Sequence, residues 1–429
     1  MSATAWLAVA IFVGVYVLVA TERVHRVAAA LGGAGLVLAL GIVDSQEAFY
    51  SPETGIDWDV IFLLLGMMLV VGVVKRTGAF EYLAIHSAKI SRGNPRRLLV
   101  LLVLVTALAS AMLDNVTTVL LIAPVTLSVC SRLGIAPVPF LLAEAFASNI
   151  GGAATLVGDP PNIIIGSRAD LTFSDFLEHM APVALLVLVA FLVLATWMWR
   201  ADLRHKPQHV EALAGMDEGA AITDRRMLVA SIVVLTGILI GFLLQRQTGL
   251  APAVVALLGA GVLLLLSPLR VGELLEEVEW ETLAFFMGLF IVVGALVRVG
   301  ALDVLAARIS EVTGAALIPT LMVVLVGSAI ASAVVDNIPF VTAMTPVVAS
   351  LIATNPQLGT DGALWWSLAL GADLGGNATL VGASANVVII GIAARNGIHI
   401  SFRRWLQFGL PTAVMSVAIC APYLLLRYT

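Results

Sequence analysis

Charged side chains are scarce in this chain. Only 12% of its 429 residues are Asp, Glu, Lys or Arg, while 60% are hydrophobic. Because soluble domains carry about 25% charged residues, this composition excludes a protein whose whole surface faces water. Charge-free apolar runs are frequent, and several approach the roughly 20 residues that a helix needs to cross a bilayer. Examples are Trp6–Ala20, Val27–Val43, Val60–Val74 and Met227–Gln245. The sequence therefore predicts a polytopic helical membrane protein.

Cysteine is also nearly absent. Cys130 and Cys420 both lie in apolar runs, which excludes a disulfide framework and favours buried structural thiols. The chain has no zinc-ligand spacing and no basic patch of the nucleic-acid-binding type. We therefore expect no cofactor and no nucleic-acid partner. The first apolar run lacks a preceding basic segment and a small-residue cleavage site, so we interpret it as a membrane helix rather than a signal peptide.

The two halves of the chain share one pattern. A block that begins at Gly151-Gly152 recurs in the second half, where it begins at Gly375-Gly376. A second set of residues recurs with the same identity and one constant offset: Trp58, Gly66, Gly72, Gly78, Asp114, Asn115 and Pro124 match Trp280, Gly288, Gly294, Gly300, Asp336, Asn337 and Pro346. The constant order and spacing indicate an internal duplication.

Each half contains two interrupted segments. The Asp-Asn block lies between apolar stretches, which predicts re-entrant helical hairpins at about 97–131 and about 316–353. The Gly-Gly block predicts broken spanning helices at about 138–167 and about 363–393. Irregular backbone at membrane depth must be buried in protein or line a wet cavity.

This organisation gives five membrane crossings in each half. An odd number of crossings inserts the second half upside down. We therefore expect an all-α polytopic membrane protein with two inverted five-helix repeats, at residues 1–200 and 226–429, joined by a cytoplasmic linker over 201–225. The count is ten transmembrane helices, two of them broken, plus two re-entrant helical hairpins.

The basic residues indicate the orientation in the membrane. With the hairpins taken as re-entrant, 18 of the 23 Lys and Arg residues fall on one side. The other five are Arg168, Arg246, Arg298, Arg308 and Arg427. By the positive-inside rule the richer side is cytoplasmic. We expect a bacterial-type inner membrane protein with both termini outside.

Polar residues at the interrupted segments are the candidate binding groups, because paired broken helices indicate a secondary transporter. The first half supplies Asn115, Thr117, Thr118, Asn149, Thr155 and Asn162, and the second half supplies Asn337, Asn377, Thr379 and Asn386. Five acids lie inside the predicted membrane region: Asp114, Glu144, Asp159, Asp336 and Asp373. Since a buried carboxylate must be protonated, cation-bound or wet, these five are the candidates for proton or cation coupling.

Structural roles for the same acids stay open. Asp114 and Asp336 each precede a helix and could act as N-caps. Asp159 precedes two prolines and could shape a turn. Asp373 replaces Asn149 of the first half, which suits either coupling or drift. Glu144 could belong to the site or to a helix interface.

The Asp114-Asn115 and Gly151–Asn162 blocks resemble one branch of the ion transporter superfamily. This branch holds the bacterial arsenite efflux permeases, the P protein and sodium/proton antiporters of the NhaD type. The resemblance implies a substrate-carrying unit that moves against a scaffold. Dicarboxylate carriers of the superfamily have Ser-Asn-Thr at the hairpin tips. Asp114 and Asp336 replace that Ser here, which favours a proton or cation over a carboxylate.

The leading interpretation is export of arsenite or antimonite in exchange for protons. Trivalent arsenic near neutral pH is an uncharged trihydroxide, which Asn, Thr and Asp side chains can hydrogen-bond. The alternative is sodium/proton antiport, with sodium at Asp114, Asp159, Asp336 and Asp373. A carboxylate carrier and an intramembrane aspartyl protease rank below these two, and we expect no enzyme. The resemblance adds a cytoplasmic ATPase as a partner that could contact Arg200–Arg226.

Overall fold

The chain folds into helices joined by short loops. The computed structural model describes residues 1–21, 23–204, 218–268 and 270–429, and these contain no strand. The predicted all-α architecture is confirmed. The first half forms α1 (Ala3–Ala20), α2 (Arg26–Ala39), α3 (Ser45–Tyr50), α4 (Trp58–Arg76), α5 (Ala79–Ser91), α6 (Pro95–Met112), α7 (Asn115–Leu133), α8 (Val138–Gly152), α9 (Pro160–Ala169), α10 (Phe173–His179) and α11 (Ala181–Met198).

The second half repeats this order after a short connection. The connection contains a 3-10 turn at Asp202–Arg204 and α12 (Glu218–Ala221). Residues 205–217 of the predicted linker, including Lys206, lie outside the described residues. The second half forms α13 (Arg225–Leu243), α14 (Gln245–Thr248), α15 (Pro252–Leu266), α16 (Val271–Leu275), α17 (Trp280–Arg298), α18 (Ala301–Thr313), α19 (Leu317–Val334), α20 (Asn337–Thr354), α21 (Ala363–Gly375), α22 (Ser384–Arg395) and α23 (Phe402–Tyr428).

Ten of the described helices are long and apolar enough to cross a membrane. They are α1, α4, α6, α7, α11, α13, α17, α19, α20 and α23. This membership differs from the ten predicted crossings. It includes the four hairpin helices, and it leaves out α2, α15 and the two broken helices because each of those is short. That the hairpins re-enter the membrane stays a prediction.

Two helices were missed by the sequence analysis. α5 and α18 have 13 residues each, too few to span, and each follows a glycine in the left-handed region. These glycines are Gly78 and Gly300, with φ of +77° and +68°. A Cβ on Gly78 would also lie 1.8 Å from the Ala221 carbonyl oxygen. The repeated glycine therefore turns the chain sharply at the end of α4 and of α17.

The two halves pack on each other reciprocally. α4 packs against α15, and α17 packs against α2. At the first contact a Cβ on Gly66 would lie 2.9 Å from Ala256 Cβ. At the second contact a Cβ on Gly288 would lie 3.0 Å from Ala30 Cβ. The same close helix approach thus occurs twice with the roles of the halves exchanged, which small residues permit in membrane proteins. We call α1, α2, α4, α13, α15 and α17 the flanking helices.

The hairpins and broken helices form a separate group, the central bundle (α6–α9 and α19–α22). Within it α6 packs on α8, and α19 packs on α21. A Cβ on Gly151 would lie 2.1 Å from the Ala107 carbonyl oxygen, and one on Gly375 would lie 2.4 Å from Ala329 Cα. Each hairpin therefore touches its broken helix backbone to backbone, at a distance that only glycine permits.

Candidate functional site

The tips of the two hairpins carry the repeated Asp-Asn pair. α6 ends at Met112 and α7 begins at Asn115. Asp114 is the N-cap of α7, and its Oδ1 accepts from Thr117 N at 2.7 Å. Asp336 caps α20 in the same way, accepting from Ile338 N at 3.1 Å. Both tip acids therefore satisfy helix ends.

The two broken helices are held open by one set of hydrogen bonds that occurs twice. Thr155 Oγ1 donates to Ala111 O at 2.5 Å, and Thr379 Oγ1 donates to Ala333 O at 2.6 Å. Asn162 Nδ2 donates to the carbonyl oxygens of Gly152 and Thr155, at 3.3 and 3.0 Å. Asn386 Nδ2 makes the corresponding bonds to Gly376 and Thr379, both at 2.9 Å. The donors of these four predicted binding residues hold the unwound backbone.

Asp159 joins the two hairpin tips. Its Oδ2 accepts from Asn115 Nδ2 at 2.7 Å, and both its oxygens accept from Asn337 Nδ2 at 3.3 Å. The residue is 1% exposed. It makes no side-chain cap at the start of α9, so turn shaping does not account for its carboxyl. One buried carboxyl from the first half therefore binds both repeated asparagines.

Asn149 links the two broken helices. Its Nδ2 donates to Asn377 Oδ1 at 2.9 Å and to Asn386 Oδ1 at 3.1 Å. Its Oδ1 accepts from Asn115 Nδ2 at 3.1 Å. All of these side chains are fully or almost fully buried. The hairpin tips and both broken helices thus meet in one hydrogen-bonded centre.

Several polar atoms of this centre are left without a partner. Asn162 lies beside Asp373, yet neither Asp373 oxygen has a partner within hydrogen-bond geometry. Asn115 Oδ1, Asn162 Oδ1 and Asn377 Nδ2 are also buried and unpartnered. Leaving a buried polar group unpaired costs about 1–3 kcal/mol, so these unpartnered atoms are the groups of the centre with unused hydrogen-bonding capacity.

Four carboxyl groups interact electrostatically at the centre. Asp159 is influenced most by Asp373, then by Asp336 and more weakly by Asp114. Among the described residues, no Lys or Arg forms an ion pair with any of them. The centre is therefore suited to hold protons or cations.

A cavity of about 440 Å³ leads to both tip acids. Asp114, Asp336 and Ser384 line its inner part, and His25, Arg26, Glu279 and Thr282 line its mouth. Ser384 Oγ donates to Asp336 Oδ2 at 2.6 Å. We call this side of the molecule the Glu279 end. The distribution of basic residues predicts that it faces the cytoplasm.

The mouth residues form a chain of contacts that the sequence analysis missed. Arg26 Nη2 donates to Thr282 Oγ1 at 3.2 Å, and Thr282 Oγ1 donates to Glu279 Oε2 at 2.9 Å. Burial, followed by the nearby Asp114 carboxyl, raises the pKa of Glu279 above its usual value. The sequence did contain a signal for Glu279 in the internal repeat. Glu279 immediately precedes Trp280, just as Asp57, the N-cap of α4, immediately precedes the matching Trp58.

One predicted site residue, Glu144, lies apart from this centre. Glu144 is fully buried, and it accepts from Thr126 Oγ1 at 2.5 Å. Thr126 lies about three helical turns beyond the hairpin tip, which is about 16 Å along the helix. Thr118 is buried with its hydroxyl unpartnered, and Thr117 contributes its backbone N–H to the Asp114 cap. The geometry favours an interface position for Glu144.

Fold and site together define a membrane transporter built around a central polar site. The chain belongs to the family described as "Citrate transporter", which matches residues 16–371. An uncharacterized transporter of Mycobacterium tuberculosis is 51% identical over 421 residues, covering 98% of both chains. The human P protein is 33% identical over 501 residues, spanning 98% of this chain and 60% of the P protein. These names indicate a transporter, not an enzyme.

A solved structure shows the same fold. The YdaH transporter of Alcanivorax borkumensis matches with a TM-score of 0.65 over 99% of this chain and 98% of that chain. The two share 14% sequence identity, so the likeness concerns the fold alone. The predicted relationship to the P protein is confirmed. The comparisons do not single out the arsenite efflux branch.

Proposed function

We propose that this protein is a secondary transporter that exports arsenite or antimonite from the cytoplasm in exchange for protons. The carrying observation is the hydrogen-bonded centre itself. It combines Asp159, three further carboxyl groups that interact electrostatically with it, and unpartnered amide atoms, and no Lys or Arg forms an ion pair with these acids among the described residues. A site of this kind supports an uncharged polar substrate and a coupled proton.

The unpartnered atoms suit a small trihydroxide. Asn115 Oδ1, Asn162 Oδ1 and the Asp373 oxygens can accept hydrogen bonds, while Asn377 Nδ2 can donate one. An uncharged solute with three hydroxyl groups offers both donors and acceptors in a compact volume. The proposed binding needs no thiol, and both Cys130 and Cys420 are fully buried within helices of the fold.

Proton exchange follows from the carboxyl groups. A carboxylate in a membrane interior is costly unless it binds a proton or a cation. Entry of protons at Asp114, Asp159, Asp336 or Asp373 would favour release of the substrate outside, and loss of those protons to the cytoplasm would restore binding. Glu144 belongs to the predicted coupling set, but its position gives it no contact with this exchange.

Sodium/proton antiport is the second candidate. Four of the unpartnered atoms are oxygens, from Asn115, Asn162 and both sides of the Asp373 carboxyl, and oxygen ligands are those that hard cations prefer. The family description and the superfamily also include carboxylates as substrates. A carboxylate anion would meet four acids, with Arg26 at the cavity mouth as the nearby cation, which makes it the weakest of the three.

Reconstituted vesicles separate these substrates. We expect an imposed proton gradient to drive arsenite accumulation, and we expect neither citrate accumulation nor collapse of the gradient by sodium. Asp373→Asn should abolish the drive by protons. Glu311→Gln is the matched control, because Glu311 forms an exposed ion pair with Arg308 outside the buried centre.

Each result has a distinct meaning. Sodium-dependent collapse of the proton gradient without arsenite transport would replace the leading candidate by the antiporter. Citrate accumulation would restore the carboxylate carrier. The predicted ATPase partner needs a separate test, since residues 205–217 of its proposed contact lie outside the described residues. Co-purification with a soluble ATPase would support it.

A further inference from the structure

A second cavity lies on the other side of the first broken helix. Its volume is about 360 Å³, and its polar lining includes Asp59, Ser167, Asp170 and Arg246. These residues belong to loops and helix ends close to Asp57, so we call this side the Asp57 end. At about 30 Å³ per water in the liquid, each of the two cavities can hold on the order of ten waters.

The two cavities meet at one side chain. Ile163 in α9 lines both of them. In the unwound segment, Leu156 lines the cavity at the Asp57 end and its neighbour Val157 lines the cavity at the Glu279 end. The wall between the cavities is therefore about one side chain thick at this point.

The facing helix α4 shows the same division. Its residues Asp59, Val60 and Leu63 line one cavity. Leu64, the next residue along the chain, lines the other. All side chains at the division are apolar and buried: Leu63 and Ile163 are each 3% exposed. A narrow apolar constriction excludes ions by excluding water.

The duplicated half lacks this arrangement. Ile163 follows Asn162, and the residue that follows the matching Asn386 is Val387 in α22. Val387 is 42% exposed and lines only the cavity at the Glu279 end. The wall between these two cavities thus includes Ile163 of the first half and not its counterpart Val387.

We propose that Ile163, with Leu156 and Val157, is the barrier that separates two aqueous vestibules, and that shrinking Ile163 converts the transporter into an uncoupled conduit for protons and small cations. The conduit would run between α9 and α4, beside the hydrogen-bonded centre. Its conduction would need no transported substrate. The leak would therefore appear whichever solute the centre binds.

Leak measurements test the barrier directly. Purified protein is reconstituted into vesicles with a potassium or proton gradient and no arsenite, citrate or sodium. We expect Ile163→Ala to raise the passive cation flux at least about tenfold over wild type. Ile163→Leu should stay tight, because it keeps the apolar volume, and Val387→Ala should stay tight because it enlarges only one cavity.

A thiol variant distinguishes a leak along this route from a general loss of structure. Cys130 and Cys420 are fully buried, so Ile163→Cys introduces a single reactive position. We expect it to leak more than wild type, and we expect a bulky methanethiosulfonate reagent to close the leak. An Ile163→Ala protein that is monodisperse and as tight as wild type would overturn the proposal, as would a thiol reagent without effect on a leaking Ile163→Cys protein.

Discussion

The two halves of the molecule have the same backbone frame and different chemistry. Thr155 and Asn162 hold the first broken helix as Thr379 and Asn386 hold the second. Asp159, however, corresponds to Ala383 and binds both hairpin tips alone. The frame is thus duplicated, whereas the connection between its copies is supplied by one half.

A second difference exchanges an amide for an acid. Asn149 of the first half donates two hydrogen bonds to the second half. Its counterpart, Asp373, has no hydrogen-bond partner on either oxygen. The first half therefore provides the bridging groups, and the second provides the free acid.

The two ends of the molecule differ as well. At the Asp57 end, Arg168 bonds the carbonyl oxygens of Pro52, Glu53 and Gly55, and Ser167 Oγ donates to Asp57 Oδ2 at 2.7 Å. We call these contacts the Arg168 clamp. At the Glu279 end the corresponding region opens into the cavity that reaches the tip acids. The cavity at the Asp57 end, by contrast, is not lined by either tip acid.

The largest effect is expected when Asp159, which connects the two hairpin tips, is replaced by alanine, the residue at the corresponding position of the second half. Asp159→Ala leaves the amides of Asn115 and Asn337 without their shared acceptor. Two hydrogen bonds amount to about 2 kcal/mol, so we expect transport to fall by about 30-fold. Initial rates in vesicles measure this. Asp159→Asn, which keeps one acceptor oxygen, should lose less, and equal rates for all three proteins would show that the bridge is dispensable.

Exchanging the amide and the acid should have unequal consequences. Asn149→Asp removes both donated hydrogen bonds and adds a fifth acid to the four of the hydrogen-bonded centre. We therefore expect it to destabilise the protein by about 2–4 kcal/mol. Asp373→Asn removes no hydrogen bond that the structure contains, and it should fold normally while transport loses its pH dependence. Thermal unfolding in detergent and pH–rate profiles provide the two measurements. Similar melting temperatures for both variants would contradict the assigned difference.

Loosening the Arg168 clamp should shift access between the two ends. Arg168→Ala removes the partly exposed ion pair with Asp57 and the hydrogen bonds to the loop carbonyl oxygens. We therefore expect the population of molecules that are open at the Glu279 end to fall by about threefold to tenfold. Val387→Cys reports this, because Val387 is exposed in that cavity and the native cysteines are buried. We expect slower labelling by an impermeant thiol reagent. Arg308→Ala, which breaks an exposed pair elsewhere, should leave the rate unchanged.

The smallest expected effect compares Glu279 with its counterpart Asp57. The raised pKa of Glu279 means that the folded state holds this proton more tightly than the unfolded state. The stability that Glu279 contributes is therefore lost as the pH rises above the pKa that this residue has in the unfolded state. The Glu279→Gln side chain cannot ionise. We therefore expect the melting temperature of this variant, relative to that of wild type, to be higher at about pH 8 than at about pH 5. Asp57→Asn loses the ion pair with Arg168 and should have a lower melting temperature than wild type at both pH values. A difference between Glu279→Gln and wild type that does not change with pH would refute the expectation.

The predicted hairpins and broken helices rest on local sequence pattern. Their turns fall at Asp114 and Asp336, and their breaks follow Gly152 and Gly375. These features arise from short segments in which helix-forming and helix-breaking residues alternate. The acids were found because an ionisable residue in an apolar run is conspicuous.

Long-range pairing could not be predicted in the same way. That Asp159 accepts from Asn337, far along the chain in the other half, depends on how two hairpins converge in space. Glu144 shares the apolar context of the other acids, and only the packing of α8 on α7 turns it toward Thr126. The Glu279 mouth was missed because its residues lie at helix ends, where charged side chains are ordinary.

The close backbone contacts at Gly151 and Gly375 have a mechanical consequence. Since no side chain separates each hairpin from its broken helix, the two cannot slide past each other without collision. In the transport cycle that we propose, each pair would therefore move as one rigid unit and would carry the hydrogen-bonded centre with it.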